Sequence, residues 1–173
     1  MNLKFIVGAT GCGKTTLAQH ISNTDVIISL DAFSKSIRYV FPDFKLYGKD
    51  ISIKPTKNCD IFLDLVSKYI QCFISDYPDK DIIIEGCHFT PQEILIRFPN
   101  SKIIALGITD SSKALSQINK RDWMSGLDDS VKFEYVRQIV EYSLMLKCNA
   151  DKYLYLEFDE NRTDYAQCIT YFS

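Results

Sequence analysis

Gly8-Ala9-Thr10-Gly11-Cys12-Gly13-Lys14-Thr15 satisfies the spacing G-x-x-x-x-G-K-[ST] and follows the apolar run Leu3-Lys4-Phe5-Ile6-Val7. The pattern predicts a strand feeding a Gly-rich turn that opens a helix. That arrangement turns successive backbone N–H groups and the positive end of a helix dipole towards a phosphate chain. Lys14 is expected to reach the β- and γ-phosphates of a nucleotide. Thr15 is expected to offer its hydroxyl to Mg²⁺, an ion that keeps several waters and takes few protein ligands. Gly8, Ala9, Thr10, Gly11, Cys12, Gly13 and Thr16 complete the expected nucleotide-binding loop. A chance match in a Gly-containing turn is the alternative, and the agreement of strand, loop and helix argues against it.

Working outward, four more β-rich runs recur between helical patterns: Val26 to Leu30, Asp81 to Glu85, Lys102 to Ile108 and Lys152 to Phe158. With Leu3 to Val7 they make five, each mostly Ile, Val, Leu, Phe or Tyr, as in a parallel sheet covered on both faces. Lys14 to Ser22 reads as the helix opened by the loop. Cys59 to Ser75 carries an apolar stripe through Ile61, Phe62, Leu65, Val66, Tyr69, Ile70, Phe73 and Ile74, and core packing explains it without a ligand. Asp128 to Lys147 is a second long helical pattern, and Thr163 to Phe172 a short closing helix. Ser34 to Asn58 is the least periodic part, broken by Phe41-Pro42, Tyr47-Gly48 and Lys54-Pro55. It reads as an acceptor-side insertion, or else as a surface excursion that packs Phe41, Phe44 and Tyr47 on the body.

Three carboxyl-terminal strand ends carry candidate chemistry. Asp31, closing the second run, can act as general base or orienter for an attacking hydroxyl, or position hydrated Mg²⁺; its alternative role is to cap the following helix. Ile82-Ile83-Ile84-Glu85-Gly86 is a buried strand ending in a carboxylate, so Glu85 can hold a water of the Mg²⁺ shell or approach the acceptor hydroxyl. His88 lies in the next loop, as a candidate substrate contact or a structural histidine. Thr90-Pro91-Gln92-Glu93 reads as a helix start with a capping box. After the fourth run, Ser111 to Asp122 ends in Lys120-Arg121, where a lid over residues 111–128 would deliver positive charge to a moving phosphoryl group. Arg121 is the first choice and Lys120 the second, against solvated helix positions. Arg38 is a candidate clamp for an anionic substrate, and Arg137 carries the same ambiguity between a site and a surface charge.

The 173 residues are 46% apolar and fit one domain with room for a core. The net charge of −2 comes without a block of like charge, so extended nucleic-acid tracking and an anionic membrane surface are not expected. No apolar stretch reaches membrane-spanning length, and the six cysteines lack C-x-x-C spacing, so reduced thiols and a cytoplasmic location are expected.

The loop Gly8 to Thr15, Asp31 after the second run, Glu85 after the third and Lys120-Arg121 after the fourth resemble the P-loop kinase group that includes nucleoside monophosphate kinases and shikimate kinases. The segment Ile84-Glu85-Gly86-Cys87-His88-Phe89-Thr90-Pro91 is similar to the corresponding region of 2-phosphoglycerate kinases, and zeta-toxin-like kinases share the layout. The resemblance implies an α/β fold with sheet order 2-3-1-4-5, a flexible lid, an acceptor-binding insertion, and transfer of the γ-phosphate of MgATP to a small metabolite or nucleotide. The chain departs from adenylate kinases in lacking their Gly-rich substrate and lid motifs, and from shikimate kinases in lacking a paired acid after the second strand. The acceptor therefore stays open, as does the choice of Asp31 or Glu85 as base. A partner-regulated ATPase or nucleotide switch is the rival class. A nucleotide-binding domain without turnover and a kinase acting on polynucleotide ends are further alternatives.

Overall fold

The computed structural model describes residues 3–22, 26–44, 46, 57–161 and 164–173. The strands are β1 (Leu3–Gly8), β2 (Val26–Ser29), β3 (Ile82–Gly86), β4 (Lys102–Gly107) and β5 (Leu154–Glu157). The helices are α1 (Lys14–Ile21), α2 (Leu30–Val40), α3 (Lys57–Asp76), α4 (Pro91–Arg97), α5 (Ser111–Asn119), α6 (Asp129–Cys148) and α7 (Tyr165–Phe172), with a 3₁₀ turn at Asp122–Met124. All five strands pair in parallel in the order β2-β3-β1-β4-β5. This is the order implied by the resemblance.

The strand alternation sorts side chains onto two faces, as a period of two requires. Phe5 and Val7 of β1, Ile82 and Ile84 of β3, and Ile103 and Ala105 of β4 enter one core with Phe62, Leu63, Val66 and Ile70 of α3. Ile6, Ile83, Ile104 and Leu106 enter the other with Leu17 of α1, Ile118 of α5, Ile139 of α6 and Phe172 of α7. β1 is buried along its whole length at the centre of the sheet. Lys4 is the one charged residue in that strand. It pairs with Asp81 at 3.0 Å, and its ammonium lies 6.0 Å from the centre of the Phe172 ring. Truncating a buried aromatic here, such as Phe62, removes about 3–5 kcal/mol of packing.

The elements depart from the sequence reading in two places. Ser34 to Val40 is helical: α2 runs unbroken from Leu30 to Val40, so the irregular segment is shorter than 34–58. Tyr47-Gly48, Lys54-Pro55 and the rest of 47–56 in the expected insertion lie outside the described residues. The α3 stripe divides: Phe62, Val66 and Ile70 are buried with Leu63, whereas Ile61, Leu65 and Tyr69 are 50, 45 and 42% exposed. Eight apolar positions cover more of a helix circumference than one sheet face can bury, so one row packs and its neighbour stays outside. The segment expected to form a lid, 111–128, comprises α5, the 3₁₀ turn and the turn into α6, with Asp110 capping α5 by accepting from the Lys113 N–H at 2.9 Å.

Candidate phosphate and acceptor site

The loop between β1 and α1 closes on itself through one carbonyl. The Ala9 oxygen accepts from the Lys14 ammonium at 2.8 Å and from the Cys12 thiol at 2.8 Å. Gly13 caps α1 with φ at 84°, a left-handed conformation that a side chain resists, and this turn sets the first helical N–H groups at the loop mouth. Lys14 is buried. Burial alone would push its pKa down, but Cys12, Cys87, Asp31 and Glu85 lie near enough to raise it overall, so the ammonium stays charged. Burial pushes the Cys12 thiol up, which keeps it protonated and suits a packing role in the loop. Gly8, Ala9 and Cys12 are buried behind the loop, whereas Thr10, Gly11, Gly13, Lys14, Thr15 and Thr16 face a cavity of about 660 Å³.

Glu85 is 1% exposed at the end of β3 and accepts from the Thr15 hydroxyl at 3.2 Å. A hydroxyl and a carboxylate held together beside a phosphate loop are the oxygen donors that a hydrated Mg²⁺ takes, so these residues fit the metal that the loop calls for. Gly86 follows. A Cβ there would lie 2.8 Å from the Cβ of Leu30, so the glycine lets the start of α2 close on the end of β3. That approach brings Asp31 beside the β3–α4 loop.

The far wall of the cavity is one face of α2. Asp31, Ser34, Lys35 and Arg38 all line it, at the i, i+3, i+4, i+7 spacing of a helical stripe. Leu30, Phe33 and Ile37 pack the opposite face into the core. Asp31 stands in the first turn of α2 and does not cap it; Ser29 is the cap, accepting from the Ala32 N–H at 3.5 Å. His88 joins from the β3–α4 loop, its side chain 7% exposed, its ring 4.9 Å from that of Phe62 and its Nδ1 3.7 Å from Asp31 Oδ1. Burial, aided by Lys14 and Arg38 and opposed by Asp31, lowers the His88 pKa to about 4, so the imidazole is neutral near pH 7. The loop ends in the capping box read from the sequence: Thr90 accepts from the Glu93 N–H at 3.3 Å and donates its own N–H to Glu93 at 2.7 Å.

Arg121 and Trp123 line the cavity from the lid segment. Trp123 is half exposed and edge-on to Tyr135 at 5.5 Å. Lys120 does not join them, since it pairs with Glu160 at 3.2 Å on the exterior. Arg137 binds Glu134 and Glu141 on the exposed side of α6, which explains it as a surface charge. Lys35, Ser34 and Cys87 are cavity residues that the sequence reading did not single out. For the first two the signal was present: polar residues spaced by three and four opposite Phe33 and Ile37 mark a helix with a wet face.

No protein-family model and no curated protein matches this chain by sequence. Solved structures do match it. A shikimate kinase from Bacteroides thetaiotaomicron is 15% identical, with 98% of this chain and 94% of that one aligned and a TM-score of 0.63. A gluconokinase from Sinorhizobium meliloti 1021 is 11% identical, covering 98% and 88% at a TM-score of 0.58. A deoxyadenosine kinase from M. mycoides is 18% identical, covering 97% and 95% at 0.53. These neighbours are small P-loop kinases, and the five-stranded parallel sheet in the order β2-β3-β1-β4-β5 is the fold they share with this chain.

Proposed function

We propose that this protein is an ATP-dependent phosphotransferase that moves the γ-phosphate of MgATP to a hydroxyl or phosphate of a small metabolite or nucleotide. One observation carries the reading: a single cavity has the phosphate loop as one wall and the polar face of α2, with His88, as the other, and Arg121 lines it too. An ATPase that served only as a switch would have no need of a second polar wall facing its phosphates.

Bound MgATP would supply the phosphoryl group and a metal that neutralises its charge. Lys14, freed from Ala9, would hold the phosphate oxygens, and the Thr15 hydroxyl backed by Glu85 would hold the metal through its oxygens. With Glu85 engaged on Thr15, Asp31 is the carboxylate left on the acceptor side, where it would orient or deprotonate the attacking hydroxyl. Lys35 and Arg38 suit an acceptor with negative charge. Neutral His88 can accept or donate one hydrogen bond to it without adding charge. Arg121 would stabilise the moving phosphoryl group as the lid segment closes.

Testing needs MgATP and a panel of acceptors: nucleosides, nucleoside monophosphates, sugar acids and phosphorylated sugar acids, cyclic polyols and oligonucleotide ends. Acceptor-dependent ADP formation supports the reading and names the acceptor class. Slow hydrolysis indifferent to all of them, and raised by a protein partner, would replace it with the ATPase.

A further inference from the structure

Cys87 and His88 are adjacent on the β3–α4 loop, and Asp31 faces them from the first turn of α2. One potential ligand atom from each, a sulfur, an imidazole nitrogen and a carboxylate oxygen, lie within 4.8 Å of one another. All three residues border the cavity, which gives an entry path from solvent. We propose that Asp31, Cys87 and His88 form a binding site for a thiophilic divalent cation, Zn²⁺ above all, where the β3–α4 loop meets the start of α2 in the cavity.

The donor set selects the ion. Mg²⁺ takes oxygen ligands and is served by Thr15 and Glu85, whereas a thiolate and an imidazole favour Zn²⁺. Three protein ligands leave a tetrahedral ion one open position, which water can fill. Zinc–ligand bonds of roughly 2.0–2.3 Å require the three atoms to draw closer. The Asp31 side chain is 65% exposed and can rotate, whereas the His88 ring, packed on Phe62, presents a fixed nitrogen. On binding, the Cys87 S–H bond breaks, the sulfur lone pair goes to the metal and the proton to water. Lys14 and Arg38 lie near enough to His88 to oppose a cation, which lowers the affinity expected of the site.

That the ion competes with the acceptor rests on the function proposed above; that it binds does not. The test titrates Zn²⁺ into nucleotide-free protein in excess Mg²⁺ by calorimetry, and adds Co²⁺ to look for a thiolate-to-cobalt charge-transfer band. The expected result is one ion per chain, a thiolate band, and an affinity weakened by roughly 10- to 100-fold or more in Cys87→Ser and His88→Gln. Cys72→Ser and Cys148→Ser, which alter the exposed cysteines, should leave binding unchanged. A Zn²⁺ isotherm unaltered by Cys87→Ser, or lost in the exposed-cysteine variants, overturns the site, as does absence of binding to the wild type. In the kinase assay, Zn²⁺ should raise the acceptor KM. Zinc binding without ADP formation from any acceptor would leave the site standing and remove the kinase reading.

Discussion

The two walls of the cavity are built in opposite ways. The phosphate wall is contiguous in sequence: its geometry comes from backbone turns at Gly11 and Gly13 and from one carbonyl, Ala9, that gathers Lys14 and Cys12. The wall proposed for the acceptor is assembled from Asp31, Ser34, Lys35 and Arg38 on α2, Cys87 and His88 after β3, and Arg121 from the segment between α5 and α6. A phosphate chain is the same in every nucleotide, so a short motif of backbone N–H groups can bind it. An acceptor varies, and side chains brought from separate elements can change one at a time. Substitutions should therefore separate the walls kinetically.

Lys14→Met should have the largest effect, lowering turnover by about 100- to 1000-fold while leaving the melting temperature equal or higher, because an apolar chain replaces a buried charge. ADP formation and thermal denaturation on one preparation check this, and near-normal turnover would refute a role for the phosphate wall. Asp31→Asn should lower kcat by roughly 100-fold with nucleotide affinity unchanged by equilibrium titration. A parallel loss of nucleotide binding would show that the walls are not separable.

His88 sharpens the contrast through pH. Its folded pKa of about 4 lies below the ordinary 6.5, so the unfolded chain binds the extra proton first as pH falls. Stability should be unaffected by this group above pH 6.5, decline between about 6.5 and 4, and level off below, by roughly 3 kcal/mol in all. Urea unfolding of metal-free protein at a series of pH values measures the slope, which His88→Gln should reduce. An equal slope in the variant would assign it to other groups.

Gly13→Ala should cost about 1–2 kcal/mol, since the added Cβ has ordinary clearance from Phe158 at 3.7 Å and only the left-handed backbone resists it. Denaturant midpoints would show this. Arg137→Ala should change turnover by no measurable amount, its partners Glu134 and Glu141 being exposed on α6. An activity loss there would extend the acceptor wall to a face that the cavity does not reach.

Much of this was legible in the residues. The strand runs around Ile6, Ile83 and Ile104 announced central parallel strands by continuous apolarity, and Thr90-Pro91-Gln92-Glu93 announced a helix start by its capping chemistry. The limits of local reading show at Ser34 to Val40. That helix exposes Tyr39, Val40 and Phe41 at its end and turns a polar face into a cavity, so its pattern did not resemble a helix lying on a core. Lys120 and Arg121 are neighbours with equal charge, and only the position of Glu160, on a distant part of the chain, separates the exterior one from the one at the cavity.

The sequence by itself determined the phosphate loop, the α/β alternation and the strand-end carboxylate Glu85, because each depends on residues within a few positions of one another and on the intrinsic geometry of glycine, strand and helix. The tertiary structure decided which carboxylate backs Thr15, that Cys87, His88 and Asp31 share one corner, and which of the lid cations faces the cavity. Those are distances between separate elements, fixed by sheet order and by close approaches such as Gly86 against Leu30, and no local pattern encodes them.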